Sequence, residues 1–164
     1  MSEVRIRPAT EEDVDTMDAM LRALSEHLGD HDLHTGNADG LRRNGPWGAG
    51  FFEALIAESR ADACGMCLYF RHFSTLRGEP GVYVQDLWIA PEQRGSGLGR
   101  RLLAAVAREA AARWGAAYLA LTAARDNGGA VRFYDRLGFE SFANDLPMAL
   151  AGVRFTRLAR EGET

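Results

Sequence analysis

Apolar positions along the chain change period several times, and each change marks an element. Val4-Arg5-Ile6-Arg7 alternates, as a strand with one buried face does. Pro8 to Asp13 then opens a helix. Thr10 stands as its N-cap with Asp13 three residues on, and Val14, Met17, Leu21 and Leu24 recur at helical spacing until Gly29. Residues 30–50 lose periodicity and are rich in Gly, Asn, Asp and His, so they read as loop with one short helix near Leu41. Phe52–Glu58 and Cys64–Phe73 read as strands joined by a hairpin-like turn, Ser59-Arg60-Ala61-Asp62. Arg77-Gly78-Glu79-Pro80-Gly81 reads as a second turn before a strand over Val82–Ile89. Leu103, Val106, Ala107, Ala110 and Trp114 share one helix face, closed by Gly115. Ala117–Thr122 is continuously apolar, which predicts a central strand buried on both faces. Gly129–Leu137 is a short helix capped by Gly138, and Phe139–Phe142 and Val153–Leu158 are expected as closing strands.

This order predicts one α+β domain over residues 1–164, without repeats, low-complexity tracts or an interdomain linker. Its 164 residues suit a single domain with a sizeable core, and 46% hydrophobic with 26% charged residues is ordinary globular composition. No apolar run reaches about eighteen residues, so no membrane partner is expected. Met1–Arg7 lacks the apolar core of a signal peptide, so the expected location is cytoplasmic. A net charge of −4 argues against nucleic acid as a partner and suits a cationic substrate.

The strongest chemical signal is Gln93-Arg94-Gly95-Ser96-Gly97-Leu98-Gly99-Arg100-Arg101, between a strand and a helix. Strand, glycine turn and helix together bind pyrophosphate: glycines admit positive φ, and the free N–H groups of the first helical turn face the anion. A nucleoside-triphosphate loop is excluded, because no Gly-Lys-Ser/Thr follows. A dinucleotide turn is excluded too, because the pattern is G-x-G-x-G with Arg100 next, past the middle of the chain. What remains is Arg-x-x-Gly-x-Gly at Arg94, Gly97 and Gly99.

That turn resembles the acetyl-coenzyme A turn of the GCN5-related N-acetyltransferases. Further matches carry the resemblance along nearly the whole chain: Ile6–Asp13, Val84–Arg101, Asn127–Ala130, and Phe133-Tyr134-Asp135-Arg136-Leu137-Gly138-Phe139-Glu140. Gly65–Phe70 followed by Val82–Ile89 is most similar to the diamine (spermidine/spermine) and thialysine acetyltransferases. The resemblance implies a mixed, mostly antiparallel sheet of about seven strands flanked by helices, with splayed central strands. It also implies acetyl-CoA as cofactor, a homodimer, and direct acetyl transfer to a primary amine of a small cationic molecule such as a polyamine, diamine or amino-acid-like amine. The alternatives are acetylation of a protein N-terminus or lysine, or a non-catalytic acyl-CoA-binding module. The last would be marked by loss of Tyr134 or a broken glycine turn, and this chain keeps Tyr134 and an intact turn.

Residue by residue, the resemblance places the pyrophosphate on Arg94, Gly95, Ser96, Gly97, Leu98, Gly99 and Arg100. Leu87, Trp88 and Ile89 would pair with the pantetheine amides as an added strand does, with Asn127, Ala130 and Tyr134 beside the same arm. Tyr134 would be the general acid for the departing thiolate. An alkylamine of pKa near 10 is neutral in about one molecule in a thousand at pH 7, so a nearby carboxylate can take its proton directly or through water, and Asp86 is the first candidate, with Glu26 and Asp30 as alternatives. Asp86, Gln85, Glu26 and His27 are the expected acceptor-binding residues, with Asp30 a further carboxylate. The related subgroup carries Glu where this chain has Gln85, which gives one fewer anionic contact and admits smaller amines than spermidine.

Two other clusters invite metal or redox readings. Cys64-Gly65-Met66-Cys67 lacks the second ligand pair that zinc requires and lies in a strand, where residues three apart face opposite sides, so both cysteines are expected in the core. His27, His31 and His34 are expected to be solvated or to form a substrate lid, and no metal site is expected.

Overall fold

The computed structural model describes residues 4–142 and 148–160. A sheet of five strands in the order β1-β2-β3-β4-β5 forms its middle layer. The strands are β1 (Val4–Pro8), β2 (Glu53–Ser59), β3 (Asp62–Ser74), β4 (Glu79–Ile89) and β5 (Leu119–Leu121). The first four pair antiparallel in chain order and β5 joins β4 in parallel. The helices are α1 (Val14–Leu28), α2 (Ala38–Asn44), α3 (Leu98–Trp114), α4 (Gly128–Leu137) and α5 (Gly152–Ala159).

Thr10, expected as the cap of α1, caps a 3-10 turn at Glu11–Asp13 that leads into the helix. The Asp13 carboxylate accepts from the Thr10 backbone N–H at 2.7 Å and from both terminal nitrogens of Arg7 at 2.7 and 2.9 Å. Arg7 also donates to Glu58 on β2, so one guanidinium ties β1, β2 and α1 together. That pairing holds the Asp13 carboxyl below its ordinary range.

Strand alternation sorts the core into two faces. Ala54, Ile56, Met66 and Leu68 meet Met17 and Met20 of α1 on one side. Leu55, Ala57, Cys67, Tyr69, Val82 and Val84 meet Leu98, Leu102, Val106 and Ala110 of α3 on the other. Ala107, expected on the buried face of α3, is exposed. Phe133, Tyr134 and Leu137 bring α4 onto the α3 side. Two irregularities break the alternation. Between β2 and β3 the register shifts at Ala57/Glu58, so Cys64 has no cross-strand partner and turns onto the same face as Cys67. The expectation of opposite faces fails for that reason, although both free cysteines are buried in the core. Between β3 and β4 the shift at Leu68/Tyr69 leaves Gln85 unpaired.

The strand ends and the C-terminal part differ from the sequence expectations. β4 begins at Glu79, so Gly81 lies within it and not in the preceding turn. There the Gly81 carbonyl accepts from Trp114 Nε1 at 3.0 Å, and a side chain at Gly81 would collide with the Tyr118 ring. β5 is short and half-buried at the edge of the described sheet, not central and doubly buried, because nothing among the described residues pairs with its far side. Phe139–Phe142 is not a strand: the Phe139 N–H turns back to the Tyr134 carbonyl at 3.1 Å and closes α4. Val153–Leu158, expected as a strand from its alternation, lies within the helix α5. A helix closes its hydrogen bonds internally and needs no neighbouring edge, and Val153, Phe155 and Leu158 stay exposed on it. The described residues therefore hold five strands where about seven were expected. Among the described residues, no helix is long and apolar enough to cross a membrane.

Candidate active site

The site grows from the end of β4. β5 reaches only Val82, Tyr83 and Val84, so Gln85–Ile89 has no partner on the β5 edge and the two strands part there. The bulge sits at the same point, with Val84 opposite Tyr69 and Asp86 opposite Leu68. Gln85 is exposed and Asp86 half-buried. Leu87, Trp88 and Ile89 are also half-buried and pair with Cys67, Met66 and Gly65 of β3, which leaves their other edge to the opening.

Because paired residues share a face, Asp86 lies with Leu68 on the α1 side. Burial pushes its carboxyl above the ordinary range, with the nearby His34 acting in the opposite direction. A raised pKa makes this carboxylate a stronger proton acceptor than one on the surface.

Past β4 the chain makes one 3-10 turn at Pro91–Gln93 and enters the glycine run. Gly95 and Gly97 take left-handed backbone angles, φ 78° and 83°, and Gly97 is the N-cap of α3. No side chain caps α3, and its first turn carries no acidic residue. A helix start of this kind offers N–H groups and a positive dipole end to an anion. Gly99 has a different role, since a Cβ there would stand 3.2 Å from Phe133 Cζ, and so it sets how closely α3 and α4 approach. Ser96 Oγ donates to the Gln93 carbonyl at 2.6 Å, which tightens the turn. Arg94 donates to the Ile89 carbonyl at 3.2 Å, and Arg101 to the Val4 carbonyl at 2.6 Å, while Arg100 is exposed beside the turn.

Tyr134 approaches the opening from α4, whose start is fixed by Asn127 Oδ1 accepting from the Ala130 N–H at 3.1 Å. Its ring lies 5.1 Å from Phe133 and 5.3 Å from Phe139, centroid to centroid. Desolvation, with a contribution from Cys67, pushes its hydroxyl up to about 12. The same thiol is influenced by Asp86, so Cys67 neighbours both groups. Gln85, Asp86, Leu87, Trp88, Ile89, the glycine turn and Tyr134 thus gather around the gap between β4 and β5.

Glu26 and His27 are exposed in the last turn of α1. His31 contacts Asp32 at 3.2 Å, and His34 Nδ1 lies 2.7 Å from Ser25 Oγ. Among the described residues, no three His, Cys, Asp or Glu side chains form a group that would hold a metal. Sequence reading passed over Asp18, which lines a cavity with His34 between α1, α2 and Phe52. Its only signal was a carboxylate between the apolar positions Met17 and Leu21, at the margin of the buried helix face.

The profile of the Acetyltransferase (GNAT) family matches residues 17–139, from α1 to the exit of α4. The chain belongs to the GNAT family. Thialysine N-epsilon-acetyltransferase from Sus scrofa is 32% identical over 146 residues, covering 84% of this GNAT chain and 85% of that protein. The Bos taurus protein of the same name is 31% identical over the same length. Solved structures agree on the GNAT fold. An integron cassette protein from V. cholerae superposes with TM-score 0.76 at 20% identity over 98% of this chain and 99% of that one. A soil-metagenome aminoglycoside acetyltransferase solved with sisomicin gives 0.72 at 15% identity over 90% and 97%. Family membership makes this chain an N-acetyltransferase.

Proposed function

We propose that this protein transfers the acetyl group of acetyl-CoA directly to a primary amine of a small cationic molecule. The observation that carries the reading is the half-buried Asp86 at the parted end of β4, on the strand that leads into the uncapped start of α3. The residues present fit the cofactor: left-handed Gly95 and Gly97 expose backbone N–H groups at a helix start, and Gln85–Ile89 leaves a strand edge free for amide pairing. Arg94–Arg100 would hold the pyrophosphate, and Leu87, Trp88 and Ile89 the pantetheine arm, with Asn127 and Ala130 beside it at the start of α4. When bound, acetyl-CoA supplies the thioester that the amine attacks.

The chain's own groups handle the protons. The Asp86 carboxylate takes one proton from the incoming ammonium, which frees its lone pair, and burial strengthens it for that task. Tyr134 keeps its phenolic proton at Oη at neutral pH, ready for the departing sulfur, and would be reprotonated by the second proton that the attacking nitrogen sheds. Exposed Gln85 and the Asp86 carboxylate favour a cationic acceptor, and the names of the Sus scrofa and Bos taurus relatives point to an amine at the end of an amino-acid side chain. A homodimer belongs to the same proposal, supported by the exposed apolar side chains of Met148, Leu150, Val153, Phe155 and Leu158. So does a cytoplasmic location, supported by the two free thiols. A panel of primary amines, alcohols and thiols incubated with acetyl-CoA, with release of free CoA thiol as readout, tests the reading. Turnover confined to amines supports it, and inert amines sink it.

A further inference from the structure

α1, α2 and the segment between them border an open cavity of about 250 Å³. Its wall includes Asp18, His34, Asn37, Leu41 and Phe52. Two buried polar atoms on this wall, Asp18 Oδ1 and His34 Nε2, have no hydrogen-bond partner among the described residues. Each residue is otherwise engaged: Asp18 Oδ2 accepts from Arg22 Nε at 2.9 Å, and His34 Nδ1 meets Ser25 Oγ at 2.7 Å. Buried polar atoms are rarely left unpaired, so such a pair on one cavity wall points to a missing ligand.

The chemistry of the two atoms narrows that ligand. A carboxylate oxygen is only an acceptor, and Nε2 is an acceptor in the tautomer whose Nδ1–H donates to Ser25. Two acceptors call for a group that carries donors alone. An ammonium has three donors and no acceptor. His34 also belongs to the surroundings of Asp86, so the cavity and the reacting carboxylate share a neighbour. We propose that the Asp18–His34 cavity is the subsite for the second, non-reacting ammonium of a diamino acceptor whose first amine is presented to Asp86. This rests on the reading of Asp86 as the reacting end of the acceptor site. The subsite makes the enzyme select molecules with two separated amines, and a terminal diamine and a lysine-like amino acid share that chemistry. The leucine and phenylalanine on the wall face the methylene chain.

The test compares 1,5-diaminopentane, lysine and pentylamine as acceptors for the full chain with acetyl-CoA. The parent is expected to favour 1,5-diaminopentane over pentylamine by about tenfold or more in kcat/KM, chiefly through KM, as a charge-assisted contact gives. Lysine distinguishes the two sources. A lysine preference over the diamine assigns the subsite to an amino acid, and the reverse assigns it to a polyamine-type molecule. In Asp18→Asn the diamine preference should collapse toward equality. Arg22→Ala, which keeps the carboxylate but removes its ion-pair partner and that partner's 3.2 Å bond to the Gly36 carbonyl on the same wall, should retain the preference. An equal loss in Arg22→Ala would reduce Asp18 to a helix ion pair and overturn the subsite. Equal turnover of pentylamine and 1,5-diaminopentane by the parent overturns it as well, without any variant, while leaving the acetylation reading standing. A parent that acetylates no amine removes the reaction and the subsite together.

Discussion

Asp86 stands directly opposite Leu68 across the β3–β4 ladder, on the α1 face, while Gln85 beside it has no cross-strand partner. The bulge decides which face the carboxylate takes. A one-residue slip would flip every later side chain of β4 to the other face and turn Asp86 toward α3. The relationship yields a kinetic expectation. Asp86→Asn keeps the shape and removes the proton acceptor, so kcat should fall by roughly 10²–10⁴-fold. A carboxylate that only held the cation would raise KM and spare kcat. Steady-state kinetics on one amine separates the two outcomes.

The raised pKa of Asp86 also makes a stability prediction with a definite sign. Burial favours the protonated form in the folded state, so this group's contribution is fully present below its unfolded pKa and is lost as pH rises through the folded value. Near pH 7 the ionised carboxylate works against folding. Asp86→Asn should therefore melt at or above the parent temperature at neutral pH, and lose that advantage in acid. Thermal melts at both pH values check it, and a variant that melts below the parent at neutral pH contradicts the desolvated placement of the carboxylate.

Tyr134 is held protonated to about 12 by burial. Tyr134→Phe removes one hydroxyl and little volume. If Tyr134 protonates the thiolate, kcat should drop by roughly 10²–10⁴-fold with acetyl-CoA affinity nearly unchanged. The parent profile should also show no loss of the acid on the alkaline side until pH approaches 12. A variant with full kcat where chemistry limits turnover would leave Tyr134 as an aromatic packed between Phe133 and Phe139.

The glycine turn is tested at Gly97, where φ is 83°. Gly97→Asp adds a negative charge at the helix start, and Gly97→Ala adds only the left-handed backbone strain, about 1–2 kcal/mol. Calorimetry should show acetyl-CoA binding nearly lost in the Asp variant and weakened far less in the Ala variant. Equal affinities in all three proteins would contradict the turn as the pyrophosphate site.

A prediction away from the site concerns the β2–β3 hairpin. Arg60 and Ala61 both adopt positive φ, 52° and 72°, without being glycine or asparagine. Two-residue hairpins of this kind favour Asn-Gly. Replacing Arg60-Ala61 by Asn-Gly should raise stability by about 1 kcal/mol, seen as a higher denaturant midpoint with an unchanged slope.

The elements that were legible in the sequence carry their own local signals. Thr10 and Asp13 mark the start of α1, Gly29 and Gly115 end α1 and α3 in the left-handed conformation, and the glycine run announces α3. The elements that were not legible depend on distant partners. Val153-Arg154-Phe155 alternates as a strand does, but alternation states only which positions are apolar, and the segment forms α5 although the far edge of β5 is unpaired among the described residues. The bulges at Cys64 and Gln85 exist only in the register between two strands, so no local pattern announces them. Asp18 escaped notice for a related reason. Its importance comes from sharing a cavity with His34, sixteen positions away on another segment, and helical spacing alone shows it as one more residue beside the apolar stripe.

The most direct measurement joins product identity to the carboxylate. Parent and Asp86→Asn are each incubated with acetyl-CoA and 1,5-diaminopentane, and the free thiol and the acetylated product are quantified together. N-acetylated amine is expected in step with released thiol for the parent, with a large loss of both in the variant at saturating amine. Acetylation of alcohols or thiols with every amine inert, or an Asp86→Asn variant with undiminished kcat, would contradict it.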